Sequence, residues 1–428
     1  MTIPASSNTD RHPVAATEAR VRAGAVWAFL GAYLGAYLIL IVPVATTLAI
    51  KVAEVAGDGR AAALGVITGL GALVALIAGP VFGFLSDRTT SRWGRRRPWI
   101  LGGAVVGVAA LLALAISPTP LLVGLFWCIV QLALNATLVG LAAFLPDRVP
   151  QEQRGKVSAW TGIAQQTAPL IGLVIANVAL GAGGGTLGMF VAPSVIGLIL
   201  VVVFTVAVDD PAADRRASDA SPAETGQAPV TVAASARWDF AWAWIGRFLI
   251  TLSFAAANTY QVYFLNDRLD IPLETVPLIQ LGLVLLTTVL MSASAAASGI
   301  VSDRIRRRKP FVIVASILIA TSSLLTAFAF ELPVYIVASA ITGVAIGAYF
   351  AIDLALVTEV LPDRGGAAAR DMGVFNIANT LPQSLAPAGA PLLLAIGGDG
   401  SNYAALFVAA AGTAVFGAIA TMPIRGVR

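Results

Sequence analysis

The chain of 428 residues is 58% hydrophobic and only 12% charged, and its mean hydropathy is +0.85. A water-soluble domain carries about twice this fraction of charged residues, so lipid is the expected solvent for most of the chain. With one cysteine, Cys128, and one histidine, His12, the sequence excludes a disulfide framework and a zinc, haem or iron–sulfur site. We therefore expect neither a metal nor another cofactor.

Twelve apolar runs follow one another along the chain, and a helix that crosses the hydrocarbon of a bilayer needs ~20 such residues. Backbone groups in lipid must be hydrogen-bonded internally, and the runs lack the alternation of barrel strands, so each run is predicted to be a helix. The predicted spans are 24–50, 61–86, 98–117, 119–145, 155–181, 186–208, 239–265, 275–302, 310–330, 332–361, 371–397 and 402–424.

Polar segments divide the chain into five regions. The first apolar run is too long for a signal-peptide core, so we expect an uncleaved first membrane helix. The stretch between spans 6 and 7 lacks any hydrophobic period and is interpreted as a flexible tether. The predicted regions are an N-terminal tail at 1–23, a six-helix half at 24–208, a linker at 209–238, a second six-helix half at 239–424 and a C-terminal tail at 425–428.

The basic residues predict the orientation of the chain. If both termini are cytoplasmic, then 23 of the 27 basic residues face the cytoplasm. Lys51, Arg60 and Arg268 face outside, and Arg247 falls inside a span. The positive-inside rule therefore predicts a multi-pass protein of the cytoplasmic membrane with cytoplasmic tails and a cytoplasmic linker.

Two short motifs occur twice, each at the same offset of 216 residues. Gly-x-x-Ser-Asp-Arg occupies 83–88 and 299–304, and a basic run follows each copy. Leu-Pro-Asp-Arg occupies 145–148 and 361–364, and an arginine follows each copy six residues later. Two motifs that share one spacing are hard to obtain by chance. The sequence therefore predicts an all-α membrane protein made of two pseudo-symmetric six-helix bundles.

The paired Gly-x-x-Ser-Asp-Arg motifs lie between spans 2 and 3 and between spans 8 and 9, and in this the chain resembles the major facilitator superfamily. The stretch SDRTTSRWGRRRPWI at 86–100 is similar to the sucrose–proton symporters and the glycoside–pentoside–hexuronide:cation symporters. The resemblance covers essentially the whole chain. It implies alternating access, in which one half rocks against the other around a site at the membrane midplane, with spans 1, 4, 7 and 10 lining the cavity.

Charged residues at the ends of the motif spans form a candidate cytoplasmic gate. Asp87 and Asp303 end spans 2 and 8 on the surface where spans 11 and 5 begin. A carboxylate gains from a helix N-terminus and from charge-assisted bonds to arginine, so such contacts would latch this side shut. The alternative is that the charges only mark the membrane boundary. The candidate gate residues are Gly83, Asp87, Arg88, Arg154, Gly299, Asp303, Arg304 and Arg370.

Two charges lie well inside their spans, where an ionisable group is expensive. Asp353 precedes Pro362 by nine residues, and Arg247 follows Asp239 by eight, so both are ~12–13 Å from the cytoplasmic ends of spans 10 and 7. We expect the two to meet as an ion pair. Three roles are open: Asp353 takes up and releases a coupling proton, the pair binds substrate directly, or the pair is a permanent structural one.

The chain departs from the families that it resembles. The sucrose branch usually has an acidic residue in span 4, where this chain has Asn135. Sodium-coupled sugar symporters use acids in spans 2 and 4, and neither span has one at membrane depth here. The sequence therefore does not favour sodium coupling. The remaining possibilities are proton coupling through Asp353 and transport without coupling. By the offset of 216, Asp353 corresponds to Thr137 and Arg247 to Gly31, so only the second half carries the buried charges.

Neutral polar residues in five spans offer the hydrogen-bonding groups that a sugar site needs. Asn258 follows Arg247 by eleven residues, about three helical turns, so the two share a face. The alternative is that the amides join helices, which is a common use of Asn and Gln in membranes. The candidate substrate-binding residues are Gln131, Asn135, Gln165, Asn258, Gln261, Tyr349, Asn376, Asn379 and Gln383.

The sequence predicts a secondary active transporter that moves a small polar solute, a sugar or glycoside, with protons. The alternatives are a proton-antiport exporter of hydrophobic compounds, whose cavity Gly, Ala and Leu would line, and a non-transporting sensor of the same fold. The chain lacks the motifs of metalloenzymes, hydrolases and phosphate-loop pumps, so we expect neither an enzyme nor a primary pump. The expected partners are the substrate, protons and the bilayer, without nucleic acid, and the chain is expected to be a monomer. Gly65-x-x-x-Gly69 is assigned to helix packing alone.

Overall fold

The computed structural model describes residues 23–208, 234–360, 368–397 and 401–424. Within these ranges the chain forms helices joined by short turns and contains no strand. The prediction of an all-α membrane fold is confirmed. The second Leu-Pro-Asp-Arg motif, most of the predicted linker and nearly all of the two predicted tails lie outside the described residues.

Each predicted span contains a helix. The first half consists of α1 (Ala23–Val42), α2 (Leu48–Ala56), α3 (Arg60–Arg88), α4 (Arg97–Ala115), α5 (Pro120–Arg148), α6 (Gln151–Ala179) and α7 (Gly185–Ala207). The second half consists of α8 (Ala234–Thr259), α9 (Gln261–Asp267), α10 (Val276–Ile305), α11 (Lys309–Ala327), α12 (Leu332–Val360), α13 (Ala368–Leu394) and α14 (Tyr403–Thr421). The pairs α1/α2 and α8/α9 each make up one predicted span.

Two helical breaks are not evident from the apolar pattern, and a third falls in the gap between the spans predicted at 155–181 and 186–208. A π-helical turn, Pro43–Thr47, joins α1 to α2, and it begins at a proline that has no N–H to bond the preceding turn. Tyr260 separates α8 from α9. Between α6 and α7 the chain passes through Gly183 at φ +83°, a conformation that glycine adopts without steric cost. These breaks let one span change direction and let two long helices join by a tight turn.

Nine helical stretches of the described chain are long and apolar enough to cross a membrane. Two of them, Gly24–Arg88 and Gln151–Ala207, are 65 and 57 residues long and each contains two of the predicted spans. Helix α13 is not among the nine. It contains three internal prolines, Pro382, Pro387 and Pro391, whose freed carbonyl groups need partners inside the protein rather than in lipid.

The helices pack as two bundles that meet along a seam. In the first half α1 packs on α6 and α7, and α5 packs on α3 and α4; in the second half α12 packs on α10 and α11, and α14 on α8 and α11. The halves meet where α3 packs on α13 and α6 on α10. A β-carbon at Gly65 would lie 2.6 Å from the carbonyl oxygen of Pro387, and one at Gly69 would lie 3.1 Å from the β-carbon of Ala388. The Gly65-x-x-x-Gly69 stripe therefore serves the close packing that was predicted.

Candidate functional site

The two charges predicted to lie inside spans 7 and 10 form an ion pair. The Arg247 guanidinium of α8 donates through Nη1 to Oδ2 of Asp353 on α12. The Asp353 side chain is only 4% exposed and that of Arg247 is 15% exposed, so the pair is shielded from solvent. Asp353 precedes the end of α12 at Val360 by seven residues, ~10 Å along the helix. The predicted partnership between spans 7 and 10 is present in the structure.

Aromatic side chains surround the pair. Phe375 of α13 and Phe350 of α12 lie with their ring centroids 4.9 and 5.6 Å from the Arg247 guanidinium carbon. One turn before Asp353, the buried Tyr349 hydroxyl bonds to its carboxylate. Nε of Arg247 is buried and has no hydrogen-bond partner among the described residues. The guanidinium is thus held by one carboxylate and two ring faces, and it retains one unused donor.

This arrangement can act as a movable charge pair. Its members belong to different helices, α8 and α12, so a change in the distance between these helices would separate the charges. An isolated charge is costly away from water, so separation has to be matched by neutralisation of the carboxylate or by a new partner for the guanidinium. The same geometry also serves a permanent structural pair, which transport measurements can distinguish.

A cavity of about 160 Å³ lies inside the second half, and Asn258 and Gln261 are among its lining residues. Asn258 is exposed, and its Nδ2 donates to the carbonyl of Phe254 at 2.9 Å, which leaves Oδ1 available. Gln261 interacts with the buried hydroxyl of Tyr335. Tyr349 lies at the ion pair and not in the lining of this cavity. Two of the predicted binding residues are therefore brought together here, and a third lies with the charges.

The other predicted binding residues are distributed over three helices. On α13, Asn376 and Gln383 are exposed and Asn379 is half-buried; Nε2 of Gln383 donates to the Asn379 carbonyl at 3.0 Å. Gln165 of α6 is also exposed. The two residues on α5 are engaged in packing. Gln131 is buried beside Gly71 of α3, and Nδ2 of Asn135 donates to the Gln131 carbonyl at 2.8 Å.

At the end of the molecule that carries the repeated motifs, called the motif end (83–98 and 299–310), Arg96 links three helices of the first half. Its guanidinium lies 2.7 Å from Asp87 of α3 and 3.1 Å from Asp147 of α5, and it donates to Ser86 at 2.7 Å. Arg95 adds a second contact to Asp147 at 2.8 Å. In this structure Asp87 is thus paired within its own half. Sequence reasoning treated Arg96 as part of a basic run and missed this role.

The remaining gate candidates make local contacts. Arg154 donates to the carbonyls of Pro146 and Val149, both at 2.8 Å, and so closes the turn between α5 and α6. The Arg88 guanidinium carbon lies 3.8 Å from the ring centroid of Phe84. The side chain of Arg370 lies outside the described residues. The other gate candidates occupy exposed or loosely packed positions: Gly83, Gly299, Asp303 and Arg304.

The opposite end of the molecule, called the far end (45–61 and 260–280), is closed by contacts between the halves. Thr46 donates to Oε1 of Gln280 at 2.5 Å, and Nε2 of Gln280 donates to the Ala45 carbonyl at 3.1 Å. The hydroxyl of Tyr263 donates to the Ala49 carbonyl at 2.9 Å, and that of Tyr260 lies 3.1 Å from the Ala61 carbonyl oxygen. One hydrophobic cluster of buried residues spans both halves at this seam.

A charged network reinforces the far end. Arg60 at the start of α3 pairs with Asp267 of α9 and donates to Asn266 at 3.0 Å. Tyr403 donates to Asp267 at 2.5 Å, and the Arg60 guanidinium carbon lies 5.1 Å from the ring centroid of Tyr263. Sequence reasoning missed this network because Arg60 and Asp267 are 207 residues apart and do not match the repeat offset of 216.

The contacts between the halves are concentrated at the far end. Two further described hydrogen bonds cross the seam between α6 and α10. Nδ2 of Asn177 donates to the Pro277 carbonyl at 3.1 Å, and Gln166 contacts the Met291 sulfur at 3.8 Å, near the middle of both helices. At the motif end, the contacts shown for Asp87, Arg154 and Lys309 lie within one half. The contacts between the halves that the described residues show therefore lie mainly at the far end.

Comparison with known proteins gives a family match over nearly the whole chain. The family model described as Major Facilitator Superfamily matches residues 23–387 and 244–427. The lactose permease of Lactobacillus delbrueckii subsp. bulgaricus is 31% identical over 113 residues, and the general alpha-glucoside permease of Schizosaccharomyces pombe is 26% identical over 108 residues. These matches cover 24% and 22% of this chain and 18% and 20% of the relatives, so the chain spans a fifth or less of their length.

Solved structures resemble the whole chain. A D-xylose-proton symporter has a TM-score of 0.69 at 15% identity, and the match covers 93% of this chain and 96% of that one. A nucleoside transporter, NupG, has a TM-score of 0.69 at 15% identity, with 94% and 98% covered. At such low identity the likeness establishes the fold.

Proposed function

The chain belongs to the major facilitator superfamily, and on this premise we propose that it transports a sugar or glycoside together with protons. Family membership makes it a membrane transporter and not an enzyme. The proposal of sugar transport with protons depends on the shielded Arg247–Asp353 pair. The same half contains an uncharged cavity that is rich in hydroxyl groups.

The choice of substrate rests on the chemistry of the cavity. Its polar lining consists of hydroxyl and amide groups, and no charged side chain contributes to it. Such groups suit a neutral solute that carries several hydroxyl groups, and the apolar side chains between them suit the carbon face of a sugar ring. Short matches to a lactose permease and an alpha-glucoside permease point to the same class of solute.

The proposed coupling rests on Asp353. This carboxylate is buried and is paired across two helices of the second half. When α8 and α12 move apart, the loss of Arg247 would be matched by proton uptake on Asp353, and the return of Arg247 would expel the proton. A substrate that favours one of these arrangements is thereby coupled to the proton gradient.

The orientation is proposed from charge. The motif end carries the basic runs, so we place it in the cytoplasm, with both termini on that side and the protein in the cytoplasmic membrane as a monomer. In that orientation the far-end contacts between the halves lie on the outside.

Transport in proteoliposomes tests the proposal. With an alkaline interior we expect accumulation of lactose, methyl α-D-glucopyranoside or D-xylose above the external concentration. Asp353→Asn should lose accumulation driven by the pH gradient and should still exchange internal for external sugar, because the amide fits the site but cannot carry the proton.

The matched control is Asp270→Asn, which changes an exposed aspartate at the far end whose positive φ asparagine also tolerates. It should accumulate sugar as the wild type does. Absence of uptake and of exchange for all three sugars would contradict the substrate class. Accumulation by Asp353→Asn at the wild-type level would contradict coupling through this residue.

A further inference from the structure

The cavity in the second half extends well beyond the predicted binding residues. Its lining begins at the exposed Asn258 of α8 and continues to buried hydroxyls of α8, α11 and α12. A single water needs only ~10–15 Å³ of such space, so about 160 Å³ holds on the order of ten waters or one small ring. The hydroxyl-bearing residues of its interior are Ser253, Ser322, Ser323, Thr326, Ser339 and Thr342.

The hydroxyls of the lining are mostly committed as donors. Ser322 donates to the Ala338 carbonyl at 3.1 Å, Thr342 lies 3.1 Å from the same carbonyl, and Thr326 donates to the Ser322 carbonyl at 3.0 Å. Each of these hydroxyl oxygens keeps lone pairs for a further bond. The cavity is therefore rich in acceptors and lacks charge, which matches a neutral ligand that brings its own O–H donors.

Ser253 supplies a second observation in favour of a ligand, independent of the volume of the cavity. Its side chain is 1% exposed and lines the cavity, and its hydroxyl has no hydrogen-bond partner among the described residues. Buried polar groups in native proteins are almost always bonded, and an unpaired one is costly. Because Ser253 lines a cavity of this size, a ligand in the cavity can complete the bonding of its hydroxyl.

We propose that this cavity, between α8, α10, α11, α12 and α14, is a second binding compartment that receives one sugar ring of the substrate, with Ser253 bonding a ring hydroxyl. The inference rests on the proposed transport of sugars and extends it to residues that the sequence did not indicate. Phe254, Tyr335 and Phe407 provide faces for the apolar side of the ring. The compartment would make the second half the one that selects the substrate.

Ser253→Ala is a sharp test because the hydroxyl that it removes makes no bond within the described protein. The melting temperature without sugar should be unchanged or higher, while the Kd for the bound sugar should rise about tenfold, the effect of one hydrogen bond. The probes are lactose, methyl α-D-glucopyranoside and D-xylose, titrated against the purified full chain by thermal shift and calorimetry.

Thr251→Val is the matched control. Thr251 lies on the same helix, is 4% exposed and has an orphaned hydroxyl, but it does not line the cavity, so its loss should leave the Kd unchanged. Ala257→Leu gives a second variant, because the added side chain fills the cavity beside Asn258 and should abolish sugar binding in a protein that still folds.

Three results would overturn the inference. A wild-type Kd for Ser253→Ala, or sugar binding by Ala257→Leu at wild-type strength, would overturn the compartment while leaving sugar transport intact. If the wild type binds none of the three sugars, the proposed function falls together with the compartment.

Discussion

An arginine and an aspartate that share a water-poor site constrain each other energetically. Removal of one partner from a buried pair costs ~3–5 kcal/mol, because the other charge is left uncompensated. Arg247 has two further supports, the rings of Phe375 and Phe350. These contacts soften the penalty for losing Asp353 and let the guanidinium persist when the carboxylate is neutral. The site therefore supports a charged Arg247 when Asp353 is neutral, whereas the described residues offer Asp353 no comparable ring contacts if Arg247 is lost.

A double-mutant cycle measures this coupling. Arg247→Ala and Asp353→Ala should each lower the stability of the purified protein by ~3–5 kcal/mol, and the double variant should lose less than their sum by ~1–3 kcal/mol. Lys156, an exposed residue of α6, provides the control: Lys156→Ala combined with Asp353→Ala should be additive within ~0.5 kcal/mol. Additive losses for the first pair as well would show that the two residues do not act together.

At the residue scale, the sequence predicted the ion pair because a charge inside an apolar span has few stable solutions other than a partner. It did not predict the Arg96 cluster or the orphaned Ser253. Arg96 lies in a run of three arginines, and nothing in the run distinguishes it from Arg95 and Arg97. A serine in a helix likewise carries no sign of its bonding. Both depend on which helices meet, and that is decided by tertiary packing.

At the scale of helices, each span predicted from apolar length contains a helix, because lipid requires each crossing segment to satisfy its own backbone. The breaks at Pro43–Thr47 and Tyr260 were not predicted, since an apolar count is insensitive to where a helix bends. The contact between α3 and α13 follows from side-chain size. Small residues let two helices approach closely, and Gly65 and Gly69 occupy that contact.

Gly65→Ala tests whether this contact controls closure. Its methyl group would lie 2.6 Å from the Pro387 carbonyl oxygen and from the Tyr260 hydroxyl, so the far end cannot close without displacement. In a Cys128→Ala background, cysteines at Thr46 and Gln280 should form a disulfide readily, and several-fold more slowly with Gly65→Ala.

The control for this experiment is on the same helix. A β-carbon at Gly79 would meet no atom within 4 Å, and alanine is the better helix former by ~1 kcal/mol. Gly79→Ala should therefore leave disulfide formation unchanged. Equal rates for the two glycine variants would remove the α3–α13 contact from the closing mechanism.

At the scale of the molecule, the structure joins two halves through contacts that are concentrated at the far end. The repeat at offset 216 indicated two equivalent halves, but the seam between them is not symmetric. Arg60, Asp267 and Gln280 bond across the far end, while Asp87 turns to Arg96 within its own half at the motif end. A repeat encodes the shared bundle, and it does not encode which end is closed. The free energy of the far-end contacts therefore affects the population of molecules that are closed at the far end.

The Arg60–Asp267 pair offers the most direct test of that balance. The pair is about one-quarter exposed, so its own contribution is ~0.5–1 kcal/mol, and the bond from Arg60 to Asn266 adds about 1 kcal/mol. Arg60→Ala should shift the ratio of far-end-open to far-end-closed molecules about tenfold towards open, since ~1.4 kcal/mol corresponds to a factor of ten. Spin labels at Asp58 and Asp270, in a Cys128→Ala background, report the distance between the two halves at the far end. If the exchanged pair Arg60→Asp with Asp267→Arg restores the short distance, the charge interaction is the cause of closure. If Arg60→Ala leaves the distance distribution unchanged, closure depends instead on the hydrophobic cluster that spans both halves at the far end.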